Sequence, residues 1–330
     1  MPTDFLVTIA LPEPGMKLLR QAGSVLLRET PLTPTDLSDA CQSGEFRVVV
    51  AQLGDTFDSA LLERATITGI SNYAVGVNNI DVASATRRSI IVGNTPGVLT
   101  DATADIAMLL ILGVARRCVE ADQFLRAGKF TGWQPELLLG HDISGKTLGL
   151  AGFGRIARAT ARRAMAFGMD VAFCPRPPGD RHVDDDELGE FAGRVRHLTW
   201  PELVEASDFL SLHVPLTDIT RHLVNAEVLG RMKPTAILVN TARGPIVDER
   251  ALVQALEGGG IAGAGLDVYE AEPHLAPGLA DLPNTILLPH VGSATVAVRA
   301  EMARLCALNA IAMARGEMPP HPVNPEAWTK

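Results

Sequence analysis

The fold of this chain is decided by one stretch, Lys146-Thr147-Leu148-Gly149-Leu150-Ala151-Gly152-Phe153-Gly154-Arg155-Ile156-Ala157. Residues 147–151 form an apolar run of strand length, and residues 156–167 carry the apolar spacing of a helix. Gly152 permits a tight reversal, Gly154 lets a pyrophosphate approach the backbone, and Ala157 allows the helix to pack closely on the strand. Because a helix N-terminus offers free N–H groups and partial positive charge, the stretch predicts a phosphate-binding turn. Such turns also occur without a ligand, so the rest of the chain must support this interpretation.

The composition indicates a soluble globular protein with room for two domains. The chain has 330 residues, of which 47% are apolar and 20% are charged. Its net charge of −9 argues against a nucleic-acid or anionic-membrane partner. The N-terminus lacks a basic segment before an apolar run, and the longest apolar stretch, 106–115, is too short to span a bilayer, so we predict a cytoplasmic protein. The cysteine spacing suggests neither a metal site nor a disulfide framework, and we expect four buried thiols at Cys41, Cys118, Cys174 and Cys306.

Strands and helices alternate along the whole chain. The pattern predicts strands at 5–10, 46–51, 68–73, 90–92, 147–151, 170–173, 208–213, 236–240, 263–268 and 285–288. It predicts helices at 12–22, 33–44, 82–88, 100–119, 156–167, 225–232, 247–256 and 294–315, with an extended arm at 124–145 and a polar surface segment at 175–190.

This alternation predicts an α/β protein with two Rossmann-like or flavodoxin-like domains, each a doubly wound parallel sheet. We predict that residues 1–99 and 290–330 form a substrate domain and that residues 100–289 form a dinucleotide-binding domain. Ligands of such sheets gather at the carboxyl ends of the strands, so the active site is expected in the cleft between the domains.

Three polar residues follow successive strands on the edge that carries the glycine turn. Arg243 can clamp a carboxylate bidentately, and a carboxylate at Glu272 beside the imidazole of His290 favours the protonated ring. Taken singly, each is more often a solvated charge or a satisfied histidine than a catalytic group. Together they supply an anion clamp and a proton donor, which hydride reduction of a 2-oxo acid requires.

The sequence resembles the D-isomer-specific 2-hydroxyacid dehydrogenases, and within that family the glyoxylate/hydroxypyruvate reductases. The matching motifs run through nearly the whole chain, at 74–81 (AVGVNNID), 152–157 (GFGRIA), 213–216 (HVPL), 240–249 (NTARGPIVDE), 265–270 (GLDVYE) and 289–295 (PHVGSAT). The resemblance implies catalysis by His290 as proton donor, Glu272 as its partner and Arg243 as the group that binds and polarises the oxo acid. It also implies a substrate site in which main-chain N–H groups of Val75 and Gly76 bind the carboxylate, lined by Leu53, Gly54, Arg243 and Trp133.

The resemblance further implies a nicotinamide cofactor and a set of residues that hold it. These lie at the pyrophosphate (Gly152, Phe153, Gly154, Arg155, Ile156), along the adenosine (Cys174, Arg176, His213, Val214, Pro215) and around the nicotinamide (Thr241, Ala242, Arg243, Asp267, His290, Gly292), with Asp267 at the carboxamide.

The second strand of the dinucleotide domain predicts which nicotinamide cofactor is preferred. NAD enzymes usually carry Asp or Glu about 20 residues past the glycines to bind the ribose 2′-hydroxyl. This chain has Phe173-Cys174-Pro175-Arg176-Pro177 instead, so we predict NADPH, with Arg176 pairing with the 2′-phosphate, helped by Arg155 and with Arg181 as a further candidate. A solvent-facing Arg176 beside a site that also accepts NAD(H) is the alternative.

The resemblance also implies a homodimer and leaves two other functions to weigh. The arm at about 120–145 matches the family's dimer contact, and Trp133 is expected near the partner's substrate site. Phosphonate dehydrogenases share Gly132-Trp133-Gln134-Pro135 but carry lysine where this chain has Val75. A non-enzymatic NAD(H)-sensing co-repressor of the same fold is disfavoured by the three catalytic-type residues and by the acidic charge. The natural substrate among glyoxylate, hydroxypyruvate and phenylpyruvate stays open.

Overall fold

The computed structural model describes residues 3–328, in which twelve strands and twelve α-helices alternate. The strands are β1 Thr3–Val7, β2 Val25–Leu27, β3 Phe46–Ala51, β4 Gly69–Asn72, β5 Ile91–Gly93, β6 Thr147–Ala151, β7 Asp170–Cys174, β8 Val195–His197, β9 Phe209–Leu212, β10 Ile237–Asn240, β11 Gly263–Leu266 and β12 Thr285–Leu287. The helices are α1 Gly15–Ala22, α2 Pro34–Gln42, α3 Ser59–Leu62, α4 Val82–Arg87, α5 Thr100–Ala115, α6 Cys118–Arg126, α7 Arg155–Ala166, α8 Asp185–Leu188, α9 Trp200–Ala206, α10 Ala226–Arg231, α11 Glu249–Glu257 and α12 Val296–Ala314.

The described chain divides into two compact units, unit 1 (3–99 and 294–328) and unit 2 (100–293). The sequence placed the second boundary at 290 rather than 294. Unit 1 holds a five-stranded parallel sheet of order β2-β1-β3-β4-β5, the flavodoxin-like order. Apolar residues of α1 and α12 cover one face of this sheet, and those of α2, α3 and α4 cover the other.

Unit 2 holds a seven-stranded parallel sheet of order β12-β11-β10-β9-β6-β7-β8. Counted from β6, this is the strand order of a Rossmann domain, in which the order reverses between β6 and β9. Separate hydrophobic clusters cover the two faces. Two parallel α/β units confirm the predicted fold class.

The predicted end of the helix 100–119 is wrong, because α5 ends at Ala115. The carbonyl of Ala115 accepts a hydrogen bond from the N–H of His141 (2.8 Å) instead of continuing the helical ladder. Arg117 then adopts a left-handed conformation with φ 51°, and α6 begins at Cys118. The irregular arm therefore starts after Arg126 rather than at residue 124.

Several smaller elements differ from the prediction. Strands β2 and β8 have three residues each and were missed because neither is long enough to show a period. Helix α9 was also missed, although Thr199 and Glu202 form a capping box. The expectation of four buried thiols is wrong for Cys118, which is exposed at the first position of α6, whereas the other three are buried. Between residues 3 and 328 there is no helix long and apolar enough to cross a membrane.

Candidate active site

The glycine turn after β6 has the geometry of a phosphate cradle. Gly152 has φ 92°, and a Cβ at this position would lie 2.8 Å from the carbonyl oxygen of His213, so the turn tolerates only glycine here. Gly154 is the N-cap of α7, and no side chain caps the first turn of that helix. The uncapped N–H groups of α7 therefore remain available for an anion.

Two further observations show that this edge of unit 2 fits a dinucleotide. A Cβ on Gly154 would meet no atom within 4 Å, so there is open space in front of the turn. At the end of β10, the buried hydroxyl of Thr241 has no hydrogen-bond partner among the described residues. A buried polar atom without a partner is costly, and a cofactor amide or ribose can supply that partner.

The loop after β7 presents one unengaged arginine. Arg176 is exposed and forms no ion pair with any residue of 3–328, and the same holds for Arg155 at the start of α7. Arg181, by contrast, forms a bidentate pair with Glu187. The nearby carboxylate of Asp180 is bound to His197 (Oδ1 to Nε2, 2.7 Å).

Cys174 and Phe153 lie in the core although both were predicted to contact a cofactor. The Cys174 thiol is fully buried and burial raises its pKa to about 11. The Phe153 ring stacks on Phe173 with ring centroids 4.2 Å apart. Their side chains therefore pack beneath the glycine turn and the loop after β7, in the core of unit 2.

His213 follows β9 beside the glycine turn. Burial lowers the pKa of His213 to about 4, and its Nε2 lies 2.9 Å from the hydroxyl oxygen of Ser211. The ring is therefore neutral at neutral pH. Val214 after it is buried, whereas Pro215 is exposed.

The segment after β10 positions Arg243. The amide of Asn240 donates to the carbonyl of Arg243 (2.9 Å) and accepts from the N–H of Ala242 (3.0 Å), which fixes the turn. A Cβ on Gly244 would overlap the backbone of Tyr269, so this glycine lets the turn lie directly against the loop that carries Glu272. Burial lowers the pKa of Arg243, and the charge of Glu272 partly offsets this; the guanidinium remains charged.

Glu272 and His290 form the expected pair. His290 Nδ1 lies 3.0 Å from Glu272 Oε2, and Glu272 Oε1 accepts the N–H of Tyr269 at 2.9 Å. Burial raises the pKa of Glu272, but these hydrogen bonds and the neighbouring His290 and Arg243 outweigh it, so the pKa lies below its usual value. The carboxylate is therefore ionised, and the Nε2 of His290 is left for a substrate.

The backbone at His290 is left-handed (φ 54°), and Asp267 holds it there. The two carboxylate oxygens of the buried Asp267 accept the N–H groups of Val291 and Gly292, each at 2.7 Å. Burial raises the pKa of Asp267 although these bonds act against the shift. The sequence interpretation assigned Asp267 to the cofactor and missed this contact with the histidine loop, since nothing local in the sequence indicates it.

Glu249 is a second residue that sequence reasoning missed. Its buried carboxylate accepts the N–H groups of Glu270 and of Ala276 (3.1 Å), which flank Glu272 on both sides. The buried side chain of Glu249 thus joins the two ends of the segment that carries Glu272.

Unit 1 carries a pair of free main-chain donors at the predicted carboxylate site. The N–H groups of Val75 and Gly76 have no hydrogen-bond partner among the described residues. In a planar trans peptide the C=O and N–H groups point in opposite directions. A hydrogen bond that fixes the carbonyl of one residue therefore also fixes the direction of the N–H group of the next residue. Thr95 N–H holds the carbonyl of Ala74 (2.9 Å) and the amide of Asn94 holds that of Val75 (2.7 Å). These two supports were also missed from the sequence.

Other predicted substrate residues are exposed. Leu53 and Gly54 form the tip of the loop after β3. Trp133, in the irregular segment after α6, is 84% exposed, and Leu125, Phe130 and Leu139 near it in sequence are exposed as well. Apolar side chains exposed in such number are typical of an interaction surface.

A Rossmann glycine turn together with an arginine and a carboxylate-paired histidine fits the class of NAD(P)-dependent oxidoreductases. The chain belongs to the D-isomer-specific 2-hydroxyacid dehydrogenase family, since residues 108–292 match the family's NAD binding domain. It is 45% identical over 334 residues to a glyoxylate reductase from Thermococcus litoralis, covering 100% of this chain and 99% of that protein. These findings confirm the resemblance seen in the sequence.

Solved structures agree with this assignment. The TT0316 protein from Thermus thermophilus superposes with a TM-score of 0.85 at 42% identity, covering 97% of this chain and 99% of that one. An NADPH-dependent glyoxylate/hydroxypyruvate reductase from Sinorhizobium meliloti, in complex with NADP and malonate, superposes with a TM-score of 0.85 at 33% identity, covering 100% of this chain and 99% of that one.

Proposed function

We propose that the protein reduces a small 2-oxo acid of the glyoxylate or hydroxypyruvate type to the D-2-hydroxy acid with NADPH. The observation that carries the proposal is the hydrogen bond of His290 Nδ1 to Glu272 at 3.0 Å, in the unit that also presents Arg243 and the glycine turn. Two relatives bear on the substrate: one is named glyoxylate reductase and the other glyoxylate/hydroxypyruvate reductase.

The residues of unit 2 divide the chemistry between them. NADPH, when bound, supplies the hydride for the carbonyl carbon. Arg243 binds the oxo acid and polarises its carbonyl as negative charge develops on the oxygen. His290 delivers a proton from Nε2 to that oxygen, because its Nδ1 is engaged by Glu272. The ionised Glu272 orients the ring through its contact with Nδ1.

In unit 1, the free N–H groups of Val75 and Gly76 bind the substrate carboxylate. Two adjacent donors with fixed peptide planes make a small anion site without any lysine. The loop at Leu53 and Gly54 limits the substrate side chain. Unit 1 is thus the substrate unit, and unit 2 the cofactor unit.

The preference for NADPH is supported by Arg176. Among the cations of the loop after β7 it is exposed and unpaired, whereas Arg181 is already bound to Glu187. The crystallised relative from S. meliloti is named as NADPH-dependent. We further propose a homodimer that buries the exposed side chains of the arm at 120–145, including Trp133.

A panel of 2-oxo acids with NADPH and NADH, followed by the absorbance of the reduced nicotinamide, tests the reaction. We expect turnover with glyoxylate or hydroxypyruvate, and a higher kcat/KM with NADPH that falls in Arg176→Ala while kcat/KM with NADH is retained. His290→Gln should lower kcat on the order of a hundredfold or more and leave NADPH affinity close to wild type. If the wild-type protein binds NADPH but reduces no 2-oxo acid, it is a sensor rather than an enzyme.

A further inference from the structure

Two loops of unit 1 carry the groups assigned above to the substrate, and this inference rests on that proposed function. The first loop, 52–55, follows β3 and contains Leu53 and Gly54. The second, 74–79, follows β4 and contains Val75 and Gly76. Since β3 and β4 are neighbours in the sheet, the loops leave the same edge side by side.

The side chain of Asn79 reaches across to the first loop. Its Nδ2 donates to the main-chain carbonyls of Gln52 and Asp55, each at 3.0 Å. These two carbonyls flank Leu53 and Gly54. One amide group therefore holds both ends of the loop tip.

Asn72, at the end of β4, completes the connection. Its Nδ2 donates to the carbonyl of Gly76 (3.0 Å) and to Asn79 Oδ1 (3.2 Å), while Asn79 Nδ2 also lies 3.3 Å from Asn72 Oδ1. The two amides thus face each other, and Asn72 is fully buried. Paired amides of fixed position are far more restrictive than hydrophobic contact, because each donor and acceptor has a direction.

The first loop also has a support that does not involve these amides. Asp55 Oδ2 accepts the hydroxyl of Thr8 (2.6 Å) and the N–H of Gln52 (2.8 Å). This link closes the turn of loop 52–55 onto the end of β1. Loss of the asparagine pair should therefore change the spacing of the loops rather than unfold the first of them.

We propose that Asn72 and Asn79 are positioning residues that set the spacing between the substrate loops, and thereby the affinity for the 2-oxo acid. The geometry behind the assignment is the chain of hydrogen bonds from Gln52 and Asp55 through the two amides to Gly76. Both asparagines act here through the loops that they hold, and neither is among the groups assigned above to the substrate or the proton. Their contribution is the fixed distance between the loop tip and the carboxylate-binding N–H groups.

The test compares Asn79→Ala with Asn324→Ala. Asn324 is a matched control, because it is a buried asparagine of the same unit that donates to Thr86 and Ile90 and accepts from Val92, outside both loops. We expect KM for glyoxylate to rise on the order of tenfold in Asn79→Ala, with little change in kcat or in KM for NADPH. Asn324→Ala should lower the free energy of unfolding at least as much and leave KM for glyoxylate unchanged.

A second variant and a binding measurement keep the test decisive. Asn79→Asp retains the size of the side chain but cannot donate to the two carbonyls, so it should reproduce the KM effect. Calorimetric titration of oxalate into the NADPH-saturated protein should show the same loss and does not depend on turnover. Equal KM and equal oxalate affinity in wild type and variants would overturn the proposal, as would failure of both Asn79 variants to fold while Asn324→Ala folds. Absence of turnover in the wild-type protein would instead reject the proposed function.

Discussion

Lowering the pH should destabilise the protein through one histidine. His213 is half-buried behind the glycine turn, and burial lowers its pKa from 6.5 to about 4. The hydroxyl of Ser211 lies 2.9 Å from Nε2 and can donate to that nitrogen only while the nitrogen is unprotonated. The folded state therefore keeps the ring neutral where the unfolded chain would protonate it.

The size of the effect follows from the two pKa values. Above pH 6.5 both states are neutral and the stabilisation is fully present; as pH falls toward 4, only the unfolded state gains a proton, so stability is lost. Between pH 7 and pH 5 the loss should be about 2 kcal/mol, and the complete difference of the two pKa values corresponds to about 3 kcal/mol. These are upper limits, because the ring is not wholly removed from water.

Two measurements check this reasoning. In 13C-edited NMR spectra of the histidine rings, the resonance that disappears in His213→Gln should not titrate above pH 5. Urea unfolding at pH 7 and pH 5 should show a larger loss of stability in the wild-type protein than in His213→Gln. A ring that titrates near 6.5, or identical pH dependence in the two proteins, would refute the argument.

Three substitutions in unit 2 give further tests. Gly154→Ala should keep the melting temperature close to wild type, since φ is −79° and a Cβ meets nothing within 4 Å. It should nevertheless lower the affinity for NADPH on the order of tenfold, measured by fluorescence titration, because the pyrophosphate approaches the backbone at this position. An unchanged NADPH affinity would contradict this prediction. Glu249→Gln should lower the free energy of unfolding, measured by urea denaturation, by about 1–3 kcal/mol, because a single amide oxygen cannot accept both N–H groups that flank Glu272. A loss below about 0.5 kcal/mol would contradict the role of Glu249 in holding this segment. The pKa of Asp208 is lowered because its bonds from Lys233 and a main-chain N–H outweigh burial, so its stabilisation is lost as pH falls below 3.8. Asp208→Asn should therefore flatten acid unfolding in that range, and an unaltered acid profile speaks against it.

The parts of the fold that could be predicted are those written into short stretches of sequence. Strands β3 and β6 begin and end where the apolar runs do, at Phe46–Ala51 and Thr147–Ala151. The capping box at Thr33 and Asp36 likewise fixes the start of α2. The end of α5 at Ala115 could not be predicted, because the group that binds the carbonyl of Ala115 is the N–H of His141, which is distant in the sequence.

The same division applies to the site. Arg243, Glu272 and His290 could be proposed from the sequence, because each lies in the segment after a strand of one parallel sheet, and parallel strands bring their carboxyl ends to one edge. Glu249, the asparagine pair of unit 1 and the contact of Asp267 with the histidine loop were not found, since each depends on a segment that only the folded chain brings to it. Whether a carboxylate is a solvated charge or a clamp depends on those partners, and spacing along the chain does not encode them.

In each sheet, one contact spans the point at which the strand order reverses. In unit 2 the order reverses between the neighbouring strands β6 and β9, and Gly152 lies against the carbonyl of His213. In unit 1 the order reverses between the neighbouring strands β1 and β3, and the hydroxyl of Thr8 donates to the carboxylate of Asp55. At such a point the helices that follow the two strands leave on opposite faces of the sheet, which opens a crevice between the loops. Topology therefore indicates where a ligand of such a sheet binds, and we expect the contacts at these two positions to fix the spacing of the loops that line the crevice.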